Sequence, residues 1–82
     1  MIKVLFFAKL SEELGIRELL VESQFIQDTD QLFEYLIKHN KQWATILHSQ
    51  IWLKAVNQTM VANNKLLSSG DEVAYFPPVT GG

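Results

Sequence analysis

Residues 70–82 read Gly70-Asp71-Glu72-Val73-Ala74-Tyr75-Phe76-Pro77-Pro78-Val79-Thr80-Gly81-Gly82, and the parsing of this stretch decides the fold. Ser69-Gly70-Asp71 is turn chemistry, and Glu72 to Phe76 alternates polar or small residues with bulky ones, as a strand does. Pro77-Pro78 ends that strand, because a second consecutive residue without an amide hydrogen cannot continue a ladder. The two prolines favour an extended polyproline form of about 3.1 Å per residue, which holds the residues after them away from the body. Gly81 and Gly82 carry no Cβ, so they fit a channel too narrow for any side chain. Six extended residues reach roughly 20 Å. A strand, a stiff spacer, two small residues and two glycines are expected to form an arm that delivers the carboxyl group of Gly82 into another protein.

Working back from the arm, Met60-Val61 is a short apolar pair flanked by the turn-formers Asn57-Gln58-Thr59 and Asn63-Asn64, and Ile51 to Val56 reads as a strand. Trp43, Ile46 and Leu47 keep helical spacing after a break at Asn40 and predict a short helix. Asp28 followed by Gln31 has capping-box spacing, and Leu32, Tyr35, Leu36 and His39 then recur at helical intervals, predicting the main helix over about 29–39. Residues 2–8 suit a first strand. Ser11 to Leu14 suits one helical turn, Gly15 a positive-φ exit, and Arg17 to Glu22 a second strand that pairs with the first as a hairpin. This order predicts an α+β domain of the β-grasp, ubiquitin-like kind, with a mixed sheet packed on one main helix and additional short helices. The expected division is a β-grasp domain over 1–76 and a flexible tail over 77–82.

The chain has 82 residues, 48% of them hydrophobic and 20% charged, the balance of one ordinary globular domain. It contains no cysteine, which excludes disulfides, thiolate nucleophiles and cysteine metal sites from its own chemistry. Its seven basic residues are scattered, and the net charge is −2. No basic stripe tracks a phosphate backbone, so nucleic acid is not an expected partner. The first residues carry one early lysine and a short apolar run with no small-residue cleavage site, which favours a strand over a signal peptide. No run approaches the roughly 20 apolar residues of a membrane span. A cytoplasmic protein with no membrane partner is expected.

The segment from Gly70 to Gly82 resembles the C-terminus of the small, sulfur-carrying subunits of molybdopterin synthase. Met1 to Ala8 resembles their first strand and Ala55-Val56-Asn57-Gln58-Thr59 their central hairpin, while residues 9–50 match by pattern more than identity. Sulfur carriers for thiazole synthesis also end in Gly-Gly but are generally shorter and lack the Phe-Pro-Pro-Val-Thr context. The resemblance implies a cycle on Gly82: an enzyme related to ubiquitin activators consumes ATP to adenylate the carboxylate, and a sulfur donor replaces AMP to leave a thiocarboxylate. It further implies that the loaded tail enters the large subunit of a heterotetramer, where sulfur passes to a cyclic pyranopterin phosphate to form the molybdopterin dithiolene. Gly82 would be the thioglycine and glycyl adenylate site, Gly81 its slim neighbour, and Pro77, Pro78, Val79 and Thr80 the inserted arm. The chain would bind no cofactor and act as a recyclable co-substrate, the catalytic groups lying on the large subunit. Three other readings stay open: a sulfur carrier for another pathway such as thiazole synthesis, a ubiquitin-like protein modifier, and a plain binding module whose ubiquitin-like fold serves as a docking surface.

Strand parity points to where a partner docks. Ile2, Val4 and Phe6 share one face, while Lys3, Leu5 and Phe7 share the other, which the lysine marks as the solvent side. By the same parity Phe76 faces outward with Glu72, so Phe7 and Phe76 are expected to form an exposed apolar patch at the root of the tail. Met60 joins them by resemblance to the family's hairpin position. Fixing six tail residues costs roughly 1–2 kcal/mol each in backbone entropy, which calls for a body interface in addition to tail contacts. His39 and His48 have no supporting ligand cluster and read as surface or capping residues. Glu12 and Glu13 read as a solvated face, Asn57-Gln58-Thr59 as a turn despite its sequon pattern, and Trp43 and Trp52 as packing residues.

Overall fold

The structure is a computed structural model and describes residues 1–78. The chain opens with β1 (Ile2–Phe6) and turns into α1 (Ala8–Leu14). The first strand therefore stops two residues short of the expected end at Ala8. Ala8 itself takes φ 54, a left-handed conformation that reverses the chain with no glycine or proline to signal it. α1 is longer than the single expected turn, and it buries Leu10 and Leu14 four residues apart on one face. Gly15 closes it at φ 83, where its missing Cβ makes the left-handed C-cap cheap.

Strand β2 (Glu18–Val21) comes next, then a 3₁₀ turn at Ser23–Phe25 that the sequence did not announce. Helix α2 (Thr29–His39) begins where its cap predicts: the Asp28 carboxylate accepts the Gln31 amide at 2.8 Å. The Gln31 side chain reaches back to accept the Gln27 amide, also at 2.8 Å. Asn40 ends α2 and caps α3 (Lys41–His48), accepting the Trp43 amide at 2.7 Å. His48 thus belongs to the last turn of a helix. β3 (Leu53–Val56) starts two residues later than expected, because Ile51 is solvent-exposed and the Trp52 indole donates to the Leu47 carbonyl at 3.0 Å, tying it to the end of α3.

β4 (Thr59–Val61) and β5 (Glu72–Phe76) complete a five-stranded sheet in the order β2-β1-β5-β3-β4. The central β1–β5 pair is parallel and the other pairs are antiparallel, which makes the sheet mixed, as expected. The β3–β4 hairpin closes through Asn57 and Gln58 at φ 50 and 69, the paired positive φ values that match a two-residue loop to strand twist. Asn57 also binds Asp71 at 3.1 Å, and Asp71 accepts the Ser68 amide at 2.8 Å. The Ser68 backbone bond, with help from Asn57, holds the Asp71 carboxyl below its ordinary value of 3.8.

The helices cover one face of the sheet. Val4, Phe6, Val73, Tyr75 and Val56 meet Leu10, Leu32, Leu36, Trp43 and Leu47 in one core. Leu32 and Leu36 are fully buried, each contributing roughly 1.5–3 kcal/mol by leaving water. The opposite face of the sheet is left uncovered by any described element, and the site is built there.

Candidate functional site: the open sheet face and the root of the arm

Register alone places one rung of side chains across the whole open face. Glu18 opposes Leu5, Leu5 opposes Ala74, Ala74 opposes Ala55, and Ala55 opposes Met60. Side chains on one rung of a sheet point to the same side, so Leu5 and Met60 flank a low floor made of two alanines. The next rung toward the tail holds Phe76 opposite Leu53. Phe7 extends β1 by one more bond, its amide donating to the Tyr75 carbonyl at 3.1 Å. Phe7 and Phe76 therefore come one residue after the paired Phe6 and Tyr75. The rung at the far end carries Lys3 between Leu20 and Glu72, so charge lies away from the tail and apolar surface lies toward it.

Exposure agrees with this layout. Phe6 is 2% exposed and Phe7 49%, the alternation that the position of Lys3 indicates. Met60 is 55% exposed, and Phe76 is half-buried beside Leu53. Beside Phe7 a cleft of about 590 Å³ opens between α1 and the start of β2, with Glu12 and Arg17 in its walls. Glu12 and Glu13 are both exposed, as their reading as a solvated face expects.

The root of the arm leaves the sheet at the edge of this patch. Pro77 is half-buried and Pro78 exposed directly after Phe76. The expectations placed on Val79, Thr80, Gly81 and Gly82 concern positions outside the described residues. Among the described residues no group of three His, Cys, Asp or Glu side chains could hold a metal ion. His39 instead lies against the Trp43 ring at 4.6 Å, a packing contact at the α2–α3 junction. No helix of the described residues is long and apolar enough to cross a membrane.

Leu53, Ala55 and Ala74 do not stand out in the sequence, although they form the middle of the face. Their signal is the period of two within β3 and β5, which becomes informative only when register shows that the two strands are neighbours.

A mixed β2-β1-β5-β3-β4 sheet with its main helix on one face defines a β-grasp, ubiquitin-like domain. Two solved structures agree in fold: a chain of the protein–protein complex of subunits 1 and 2 of molybdopterin-converting factor from Helicobacter pylori (TM-score 0.69, 23% identity, 99% of this chain and 97% of that one), and SAMP1 from Haloferax volcanii (TM-score 0.79, 23% identity, 99% and 98%). Residues 4–82 match the sequence model of the ThiS family. The molybdopterin synthase sulfur carrier subunit of Escherichia coli is 44% identical over 82 residues, covering 100% of both chains. That of Haemophilus influenzae is 38% identical over the same span and coverage. The chain belongs to the ThiS family, and the relatives it matches over full length are molybdopterin synthase sulfur carrier subunits.

Proposed function

We propose that this chain is the sulfur carrier subunit of molybdopterin synthase and that it works through the carboxyl group of Gly82. The observation that carries the reading is an apolar sheet face, edged by Phe7, Phe76 and Met60, from which a Pro77-Pro78 spacer leads without a break. The alignment to the Escherichia coli carrier covers both chains completely, so the Gly81-Gly82 end of this chain falls within the matched length. The Helicobacter structure pairs its small chain with a second subunit, which supports a large-subunit partner for this one.

The chemistry stems from what a carboxylate lacks. A free carboxylate is a poor electrophile, so an adenylating enzyme transfers AMP from ATP to Gly82 and releases pyrophosphate. A donor that supplies sulfur at the sulfide level then attacks the acyl carbon, the bond from that carbon to the AMP oxygen breaks as AMP departs, and a thiocarboxylate remains. Its sulfur is the nucleophile delivered to the pyranopterin precursor in the large subunit. Two sulfurs make one dithiolene, so two loaded carriers are consumed per product, each recovered as the plain carboxylate when water cleaves the bond between its acyl carbon and the transferred sulfur.

The sheet face supplies the docking energy. Ordering residues 77–82 costs roughly 6–12 kcal/mol at about 1–2 kcal/mol per residue, and a face that holds the partner first makes entry of the arm intramolecular. With no cysteine, the carrier brings no thiol of its own, and catalytic groups fall to the partner.

Deleting Gly81 and Gly82 tests the reading. Molybdopterin formation in a reconstituted system is expected to vanish while the thermal transition stays in place, since the described residues form a continuous core of their own. A truncated chain that still supports product formation would overturn it. Lysine-linked conjugates of the intact chain would point to a protein modifier instead.

A further inference from the structure

On the helix side of the sheet, opposite the docking face, a cavity of about 470 Å³ opens between the start of α2, the end of α3 and β3, within the roughly 300–1,000 Å³ range of small-molecule sites. Its aromatic wall is Phe33 and Trp52, and the Trp52 indole is fixed by its bond to the Leu47 carbonyl at 3.0 Å. Its polar floor comes from register: Lys54 and Tyr75 oppose each other directly across β3 and β5. Tyr75 is 2% exposed, and its buried hydroxyl has no hydrogen-bond partner among the described residues.

Lys54 is half-buried on the sheet side that otherwise faces the core, and it forms no ion pair among the described residues. Asp30 also lines the cavity, but it occupies the first turn of α2, where a carboxylate complements the helix dipole. The charge left without an assignment is therefore the Lys54 ammonium. A phenol without a partner costs about 1–3 kcal/mol when buried, and an ammonium in an apolar recess favours an anion. Burial, with Asp30 second, pushes the Tyr75 hydroxyl well above its ordinary range, so it stays protonated and able to donate.

We propose that this cavity binds a small aromatic carboxylate, its ring against Phe33 and Trp52 and its carboxylate on Lys54. Occupancy leaves the open sheet face free, so the site is separate from the face proposed to dock the partner.

Titration of the isotopically labelled full chain with indoleacetate and with its uncharged analogue indoleacetamide, monitored by amide chemical shifts, tests the assignment. Indoleacetate is expected to give saturable shifts at Thr29, Phe33, His48, Trp52 and Lys54, with indoleacetamide about tenfold weaker, the size of one charge-assisted hydrogen bond. Lys54→Met, which keeps most of the apolar stem, should erase that preference. Absence of saturable shifts, equal affinity of the wild-type chain for acid and amide, or shifts confined to Leu5, Phe7 and Met60 would each overturn the proposal. The acid-to-amide comparison is made on the wild-type chain, so it stands even if a variant fails to fold.

Discussion

Phe6 and Phe7 are adjacent in sequence and should separate stability from binding when each is cut to alanine. Phe6 is 2% exposed and packs on Trp43 at 5.5 Å and Tyr75 at 6.4 Å between ring centroids. Removing a buried ring of this kind costs about 3–5 kcal/mol. A domain of 82 residues has a total stability of roughly 4–12 kcal/mol at about 0.05–0.15 kcal/mol per residue, so Phe6→Ala should remove about a quarter of it or more. Phe7 is 49% exposed, and about half of the roughly 1.5–3 kcal/mol of a buried phenylalanine gives a loss near 1 kcal/mol. Under the proposed function, its exposed half is what the partner covers. Truncating an aromatic anchor at the centre of an interface costs about 2 kcal/mol or more, which is about thirtyfold in affinity. Denaturant unfolding monitored by Trp fluorescence reads the first quantity, and calorimetric titration with the large subunit reads the second. Equal destabilisation by the two changes, or a Phe7→Ala chain that binds as tightly as wild type, would refute the two-face argument.

Asp28→Ala removes the side chain that accepts the Gln31 amide at the start of α2 and should lower stability by about 1 kcal/mol, with unchanged large-subunit affinity by calorimetry. Tyr75 links stability to alkaline pH: its folded-state pKa is raised above the ordinary 10.0, chiefly by burial. Its contribution is fully present below pH 10.0 and falls as pH rises beyond it, because the unfolded chain can release the proton while the folded chain retains it. Melting temperatures across the alkaline range should decline less steeply in Tyr75→Phe than in wild type, and parallel declines would contradict the assignment.

The parts of the fold most legible in the sequence are those with local chemical punctuation. α2 spans the expected residues because Asp28 caps it and Asn40 stops it, and β5 ends at Phe76 because Pro77 has no amide hydrogen. α1 exceeds its sequence signal because the strand breaks at Ala8, a residue with no intrinsic preference for its φ of 54. Lysine marks the solvent face correctly in β1 through Lys3, yet the same rule applied to β3 fails. Lys54 opposes the buried Tyr75 on the helix side, and it is tolerated there because the α3–β3 passage leaves a cavity into which a long side chain can extend. The open face proposed for docking is half legible: Phe7, Met60 and Phe76 announce themselves as large apolar residues, whereas Ala55 and Ala74 acquire meaning only through register. The chemistry proposed for Gly82 rests on residue types and their order alone, since a spacer and two glycines imply delivery without any tertiary contact.

The central claim is tested most directly by the intact mass of the chain before and after incubation with an adenylating enzyme, ATP and a sulfur donor. The account predicts a gain equal to the difference between one sulfur and one oxygen, localised to Gly82, together with new reactivity toward alkylating reagents. A chain without cysteine has no other source of such reactivity. Adding the large subunit and pterin precursor should return the mass to that of the plain carboxylate. An activating system that loads another carrier yet leaves the mass of this chain unchanged would contradict the account.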